Sequence, residues 1–326
     1  MRTLLIQFGV MSVAFAGLVS GESAWSQAYP SKPIRLIVAG PAGGGADIIA
    51  RPIAQKLSES LGQQVVVDNR PGAGTLISGQ ITASSPPDGY TVLLGTASGL
   101  AIAPFLAKKR PYDPVKDFSL VTLVATAPLM VTVHPALPVK SVPDLIRLAK
   151  AKPKQLLYAS NGTGSFSHLT SEMFSQAAGI TMVHVPYKGG TPAVIDTVGG
   201  HTQVAITAVP TLLAQVKASR LRALAVTSGK RLSILPDLPT VAESGLPGFE
   251  SVQWFAMVAP RNTLATITEK LFTETSKAVD GPGIKAALAQ EGAELAVTGP
   301  QALSEFMRTE TARWQKVISQ SNIVLE

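Results

Sequence analysis

The stretch "VAGPAGGGADIIARPIAQKL" (residues 38–57) decides the fold, because it joins a predicted strand to a predicted helix through three consecutive glycines. The apolar run Ile34–Ala39 leads into it and predicts a buried strand. We expect the helix to open at Asp47, and Pro52 to kink it or confine it to its first turns. Apolar residues then recur every four positions and predict an amphipathic helix: Ile49, Ile53, Leu57 and Leu61.

The glycines Gly43, Gly44 and Gly45 allow two interpretations, which the sequence leaves open. They can form a tight turn that only redirects the chain, as glycine often does. They can also bring the backbone N–H groups of a helix start close to a negatively charged ligand. In the second case Ala42, Gly43, Gly44 and Asp47 are candidate ligand-binding residues.

The composition is that of a globular chain with a mild positive charge. Of 326 residues, 46% are hydrophobic and 15% are charged, and the formal net charge is +7. The longest basic run is Lys108–Arg110, and aromatic residues make up only 6%. Nucleic-acid binders usually gather basic residues into a patch, so this dispersed charge predicts no nucleic-acid partner and is compatible with an anionic ligand.

The chain lacks cysteine and the motifs of several enzyme classes. Without cysteine it has no disulfide, thiolate nucleophile or iron–sulfur cluster. Its four histidines form no HExxH motif, and its glycine-rich stretches match neither the dinucleotide fingerprint nor the phosphate-binding loop. His168 and Glu172, four residues apart on a predicted helix, can hold a metal or form a solvated or capping pair. We expect no metal, no cofactor and no catalytic residue.

Residues 1–28 have the pattern of a secretory signal peptide. Arg2 precedes the apolar run of residues 3–19, and a small-residue Ser-x-Ala pattern precedes Tyr29. An uncleaved membrane anchor is the alternative, but the apolar run is shorter than the roughly 20 residues that a spanning helix needs. We expect cleavage before Tyr29 and an exported, soluble mature protein.

Short β-rich runs alternate with helical patterns along most of the chain, which predicts an α/β fold with mixed, mostly parallel sheets. Two stretches are candidates for crossings between domains, residues 121–130 and the glycine- and proline-rich residues 245–254. A chain that leaves one domain at the first and returns at the second forms two lobes with a hinge of crossover strands. The predicted first lobe is residues 29–127 plus 251–326, and the second is residues 128–250.

A second glycine-rich loop follows a predicted strand that ends at Ser160. A helix is expected from about Ser165, whose hydroxyl can cap that helix or contact a ligand. Two such loops facing each other across a cleft would hold a dicarboxylate, or one carboxylate and a polar tail. The candidate ligand-binding residues of this segment are Ser160, Asn161, Gly162, Thr163, Gly164, Ser165 and His168.

Two more segments place polar residues at predicted strand ends. The stretch "GTASGLA" (residues 95–101) supplies Thr96 and Ser98. The stretch "VPYKGGTPAVIDTVGG" (residues 185–200) repeats the strand–glycine–helix form and carries Lys188, which can line the cleft or lie on the surface. Thr96, Ser98 and Lys188 therefore join the candidate ligand-binding residues.

Several segments in a fixed order carry a family resemblance. They include "YPSKPIRLIVAGPAGGGADIIAR", "PPDGYTVLLGT", "LLYASNGTGSFSHLTSEMF", "MVHVPYKGG" and "LRALAVTSGKRLSILPDLPTVAESGLPGFE". In these, and from Tyr29 to near the C-terminus, the chain resembles the periplasmic substrate-binding receptors of tripartite tricarboxylate transporters, the Bug-type receptors. The resemblance implies a two-lobed, type II-like periplasmic-binding-protein fold. It also implies a receptor that closes over a small organic anion and delivers it to an integral membrane permease, and we expect a monomer.

The resemblance also implies where a carboxylate is held. In similar proteins, backbone groups and ordered waters of two loops grip it, and the matching positions here are Ala42–Gly44 and Asn161–Ser165. Many relatives carry an aspartate where this chain has Thr207, followed by Ala208, and receptors for amino acids can use such an aspartate to meet the ligand ammonium. We therefore include Thr207 and Ala208 in the predicted site and expect an aliphatic or aromatic mono- or dicarboxylate without a positive group.

Two other functions stay open at this point. A secreted hydrolase would use the same cleft, and Ser165 with His168 is its local candidate pair. A ligand-presenting sensor subunit would use the same cleft without chemistry.

Overall fold

The computed structural model describes residues 29–319 and Ile323; the predicted signal peptide, residues 1–28, lies outside the described residues. The strands are β1 (Ile34–Val38), β2 (Val65–Asn69), β3 (Thr91–Thr96), β4 (Phe118–Val133), β5 (Leu157–Ser160), β6 (Val183–Pro186), β7 (Val204–Ala208), β8 (Arg222–Val226), β9 (Val252–Pro260) and β10 (Glu294–Thr298). The helices are α1 (Gly45–Leu61), α2 (Leu76–Ala83), α3 (Ala103–Leu106), α4 (Val142–Ala151), α5 (Phe166–Ala178), α6 (Gly190–Val198), α7 (Val209–Lys217), α8 (Ala265–Asp280), α9 (Pro282–Gln290) and α10 (Pro300–Ser319). None of the helices within the described residues is both long and apolar enough to cross a membrane.

The strands form a mixed sheet in the order β2-β1-β3-β9-β4-β7-β5-β6, with β8 and β10 also pairing with β4. Pairing is parallel at the two outer ends, where β1 joins β2 and β3, and β5 joins β6 and β7. Pairing is antiparallel wherever β4 or β9 takes part. The predicted α/β class with a mixed sheet is confirmed. Among the described strands, however, five pairs are antiparallel and four are parallel, because the long strands β4 and β9 pair only antiparallel, so the expected parallel majority is limited to the two ends.

The long strand β4 links two lobes. Its residues Phe118–Pro128 pair with β9, and its residues Leu129–Val133 pair with β7 and β8. We call the part of the fold built on β1, β2, β3, β9 and β10 the first lobe, and the part built on β5 to β8 the second lobe. The lobe boundaries proposed from the sequence, at 127/128 and 250/251, stay predictions.

Helix α1 shows how an apolar stripe outweighs a proline. The helix begins at Gly45 rather than Asp47 and runs past Pro52 to Leu61, where the left-handed Gly62 (φ 65°) ends it. Confinement to its first turns is therefore a wrong prediction. Proline removes one backbone hydrogen bond, but the buried stripe on both sides of it packs against the sheet and keeps the helix intact: Ile49, Ile53 and Leu57.

The C-terminal helix α10 is tied to the crossover strand β9 by a buried carboxylate. Glu310 Oε2 accepts hydrogen bonds from Trp254 Nε1 at 3.0 Å and from Trp314 Nε1 at 3.1 Å. Both indoles are fully buried, and only 8% of Glu310 is exposed. This contact holds the Trp254 face of β9 against α10.

Candidate functional site

A crevice between the lobes is lined by the segments that follow β1, β2, β3, β5, β6 and β7. Its empty volume, including the part open to solvent, is about 540 Å³. Glycines from both lobes line it: Gly40, Gly44, Gly45, Gly72, Gly189 and Gly190. Polar side chains line it as well, and they are all hydroxyls or carboxamides: Thr75, Thr96, Ser98, Asn161, Ser165, Thr211 and Gln253.

The loop before α1 is held in shape by Asp47. The Asp47 carboxylate accepts a hydrogen bond from Gly43 N–H at 2.9 Å and one from Arg51 Nε at 2.8 Å. Burial opposes ionisation of Asp47, but the hydrogen bonds from Arg51 and Gly43 outweigh it and lower the pKa of the carboxyl. Gly43 adopts φ 70°, and Gly44 N–H donates to Pro41 O at 3.1 Å, which closes the turn.

The loop before α5 is also held by its own residues. Gly162 N–H donates to Ser160 Oγ at 3.1 Å, and Gly164 N–H donates to His168 Nδ1 at 3.1 Å. Ser165 Oγ accepts from His168 N–H at 3.2 Å and is the N-cap of α5, one of the two roles left open for it. Most glycine N–H groups of the two loops are therefore paired inside their own loop.

The first N–H of each helix donates across the crevice instead. Gly45 N–H of α1 donates to Thr211 Oγ1 of the second lobe at 2.9 Å. Phe166 N–H of α5 donates to Ser98 Oγ of the first lobe at 2.9 Å. The two helix N-termini thus meet at the same crevice from opposite lobes, and the first N–H of each is paired with a hydroxyl of the other lobe.

Asn161 lines the crevice, and Thr207 holds its amide oxygen. Thr207 Oγ1 donates to Asn161 Oδ1 at 2.9 Å, and Thr207 itself is buried. Asn161 lines the crevice beside Gly190, where a Cβ would lie 3.3 Å from Asn161 Oδ1. Thr207 is thus a positioning residue for Asn161.

The structure brings part of the predicted site together. The predicted residues that line the crevice are Gly44, Thr96, Ser98, Asn161, Ser165 and Ala208. Behind the loops, Asp47, Ser160, Gly162, Gly164, His168 and Thr207 are buried. Ala42, Gly43, Thr163 and Lys188 lie outside the lining, and Lys188 is exposed.

Sequence reasoning missed several lining residues of both lobes. Thr211 lies in the first turn of α7, four residues after Thr207 of β7, and Gly189 with Gly190 belongs to a stretch that was singled out only for Lys188. Gln253 and Phe255 belong to β9, where the single signal is one polar residue in an apolar strand. No local sequence pattern indicates that these positions face the loops of the other lobe.

Behind the second loop lies a stack of three rings. The His168 and His184 rings are parallel with centroids 3.8 Å apart, and the Tyr158 ring lies beside them, 5.0 Å from His184 and 6.4 Å from His168. Burial and the neighbouring His184 lower the pKa of His168 to about 3, and burial lowers the pKa of His184 to about 4. His184 Nε2 lies 2.6 Å from Ser160 Oγ, so the neutral stack supports the strand end from which the loop leaves.

This stack predicts a loss of stability in mild acid. Between pH 7 and 5 the unfolded chain protonates both histidines, whose ordinary pKa is about 6.5, while the folded chain leaves them neutral. The free energy of unfolding is therefore expected to fall by about 4 kcal/mol over this window, about 2 kcal/mol for each histidine, measured by urea titration. His184→Phe keeps a ring in the stack but cannot titrate, so its loss should be about half as large; a wild type equally stable at both values would contradict the assignment.

The crevice lining carries no ionisable side chain among the described residues. The described part of the chain likewise contains no cluster of three or more histidine, aspartate or glutamate residues able to hold a metal ion. Any ligand charge must therefore be met by backbone N–H groups, hydroxyls, carboxamides and the two helix dipoles. Each dipole favours an anion by roughly 0.3–1 kcal/mol, and by up to about 2 kcal/mol when partly buried.

Several known proteins and solved structures are similar to this chain over most of its length. The protein BugT of Bordetella pertussis is 37% identical over 100% of this chain and 99% of its own. The structure titled R. palustris Rpa4515 with adipate has a TM-score of 0.88 and 36% identity, covering 91% of this chain and 99% of that one. MatC of Rhodopseudomonas palustris with bound malate has a TM-score of 0.85 and 27% identity, covering 89% of this chain and 100% of that one.

The model of one protein family spans most of the sequence. The tripartite tricarboxylate transporter family receptor matches residues 49–323. The two-lobed fold and the Bug-type resemblance predicted from the sequence are thereby confirmed. This chain belongs to the receptor family of the tripartite tricarboxylate transporters.

Proposed function

We propose that this protein is a periplasmic receptor that binds a small organic carboxylate in the crevice between its lobes. The observation that carries the proposal is the convergence of α1 and α5. Each helix, from its own lobe, directs its first N–H group across the same crevice, Gly45 towards Thr211 and Phe166 towards Ser98. A carboxylate between them would accept from these two donors and would lie at the positive ends of both dipoles.

The lining supports a carboxylate over an amino acid. A bound ammonium would be left uncompensated in a crevice whose lining has no carboxylate. Thr207, which the resemblance places where many relatives carry an aspartate, donates its hydroxyl hydrogen bond to Asn161 Oδ1. The related structures with adipate and malate support the same ligand class, because both ligands are dicarboxylates.

Ligand capture would proceed by closure of the lobes about β4 and β9. In the structure the lobes already touch at the crevice rim, where Thr191 Oγ1 donates to Ala42 O at 3.2 Å and Gly189 packs against Pro41. Hinge closure of this kind is typical of periplasmic binding proteins. The closed form would be the state that an integral membrane permease recognises, and a monomer suffices for that role.

The hydrolase alternative finds little support in the side chains. Ser165 Oγ contacts the backbone N–H of His168, whose imidazole faces Gly164 instead. Ser160 and His184 do form a close hydroxyl–imidazole pair, but Ser160 is fully buried and is absent from the crevice lining. A nucleophile needs access to its substrate, and neither serine combines access with a base.

A calorimetric panel tests the proposed function. We expect some of the plain carboxylates succinate, glutarate, adipate, benzoate and phthalate to bind, and aspartate and glutamate to bind at least about tenfold more weakly than the matching plain acids, since an unpaired buried ammonium costs more than about 1.4 kcal/mol. Thermal unfolding in the presence of each acid is the second readout, because a ligand at a hundred times its Kd stabilises by about 2.7 kcal/mol.

Two outcomes of this panel would count against the proposal. If none of the acids shows binding, the proposed receptor function of this crevice is wrong. Tightest binding of aspartate or glutamate would overturn the carboxylate class while leaving a receptor in place. Asn161→Leu is the site variant, because it removes a carboxamide that lines the crevice, and Gln80→Leu at an exposed position of α2 is its control.

A further inference from the structure

Gln253 lines the crevice in which we propose that the ligand binds. It is the second residue of β9, opposite Ala127 of β4, at the crossing between the lobes. Because side chains alternate along a strand, Gln253 and Phe255 share one face and line the crevice, while Trp254 points the other way to Glu310. Gln253 is 93% buried, with 7% of its surface exposed.

The Gln253 carboxamide has no hydrogen-bond partner in the described part of the chain. Its Oε1 is buried and unpaired, and its Nε2 donates to no protein atom there. The hydroxyls of Thr75, Thr96 and Ser98 around the crevice can rotate to donate or accept as a ligand requires. A carboxamide has a fixed donor and a fixed acceptor side by side, and leaving the buried Oε1 without a donor is unfavourable.

The chemical complement of a carboxamide is a neighbouring acceptor and donor on one ligand. A carboxylate alone satisfies Nε2 and leaves Oε1 unpaired. A carboxylate with a hydroxyl on the adjacent carbon satisfies both, because its oxygen accepts from Nε2 while its O–H donates to Oε1. An ammonium would also donate to Oε1, but no carboxylate lines the crevice to balance its charge.

We propose that Gln253 selects organic acids that carry a hydroxyl group beside a carboxylate over acids of the same skeleton that lack it. This inference rests on the proposed carboxylate receptor and narrows its ligand class to 2-hydroxy acids. The selection acts because a plain acid leaves one end of a buried carboxamide unpaired, and sites built to bond a hydroxyl discriminate strongly against its absence.

The test measures Kd by calorimetry for matched pairs: malate and succinate, 2-hydroxyglutarate and glutarate, mandelate and phenylacetate. In the wild type, the hydroxy acid of the best-bound pair should bind at least about tenfold more tightly than its partner. In Gln253→Met, which keeps the volume but offers neither donor nor acceptor, the ratio should fall to within about twofold of one. The exposed Gln80→Met should keep the wild-type ratio, and a thermal melt of each free variant reports folding.

The outcomes separate this inference from the function on which it rests. Plain acids that bind as tightly as their hydroxy partners would overturn the role of Gln253 and leave the carboxylate receptor standing, as would a preference that persists in Gln253→Met. If no acid of any pair binds, the receptor function itself fails, and the inference falls with it.

Discussion

Gly189→Ala is expected to weaken ligand binding by about a hundredfold or more. A Cβ at this position would lie 2.5 Å from Pro41 Cδ and 2.7 Å from Pro41 Cγ, across the crevice rim. Real Cβ atoms do not approach so closely, so the lobes must move apart to admit the methyl group. A ligand that needs the closed form then binds only the small closed fraction, and its apparent Kd rises in proportion. Calorimetry with the best-bound acid measures the change.

Gly245→Ala is the matched control for this prediction. Gly189 has φ 119° and Gly245 has φ 103°, so alanine meets comparable backbone strain at both positions. A Cβ at Gly245, however, would meet no atom within 4 Å. Its affinity should therefore stay within about twofold of the wild type, whatever the loss in thermal stability.

A second variant tests the steric cause directly. Pro41→Ala removes the two ring atoms that the new methyl group would meet, so the double variant with Gly189→Ala should recover much of the affinity lost by Gly189→Ala alone. Binding by Gly189→Ala within a few-fold of the wild type would show that this contact is no part of the bound state. A double variant as weak as the single one would trace the loss to backbone strain instead.

The local features of the fold and site were predictable because they depend on near neighbours in sequence. Alternating strands and helices and the N-cap Ser141, whose Oγ accepts from Asp144 N–H, follow from patterns a few residues long. Both glycine-rich loops were found in the same way, because a strand, a glycine run and a helix start are contiguous. Their meeting in one crevice was expected from the rule that ligands bind at the carboxyl ends of parallel strands.

What the sequence could not supply is the set of contacts made between distant segments. Thr211 pairs with Gly45, 166 residues away, and Gln253 reaches the crevice only because β9 returns beside β4. His168, in contrast, was indicated by the sequence but does not line the crevice. It was a candidate ligand residue by its place one turn into α5, but its ring stacks on His184 behind the loop. The role of His168 in ligand binding stays a prediction.

Glu310→Ala is expected to destabilise the fold by about 3 kcal/mol, since it leaves two buried indole N–H groups without an acceptor at about 1–3 kcal/mol each. Trp254 Nε1 and Trp314 Nε1 both donate to Glu310 Oε2, and both rings are at most 1% exposed. The Arg313 ion pair with Glu310, at 3.4 Å and 43% exposed on the arginine side, adds little to this loss. Urea unfolding followed by tryptophan fluorescence measures it.

Glu310→Gln separates the lost hydrogen bonds from the lost charge. Its amide oxygen can still accept from the indoles, so it should cost about 1 kcal/mol, the usual difference between a charge-assisted and a neutral hydrogen bond. Glu305→Ala, on an exposed position of the same helix, should change stability by less than about 0.5 kcal/mol. Equal losses for alanine at 305 and 310 would contradict the role assigned to the buried Glu310 carboxylate, because alanine favours a helix at least as well as glutamate. Because Trp254 sits between Gln253 and Phe255 on β9, an unanchored indole lets this strand shift, so Glu310→Ala should also weaken ligand binding at temperatures where the variant is still folded.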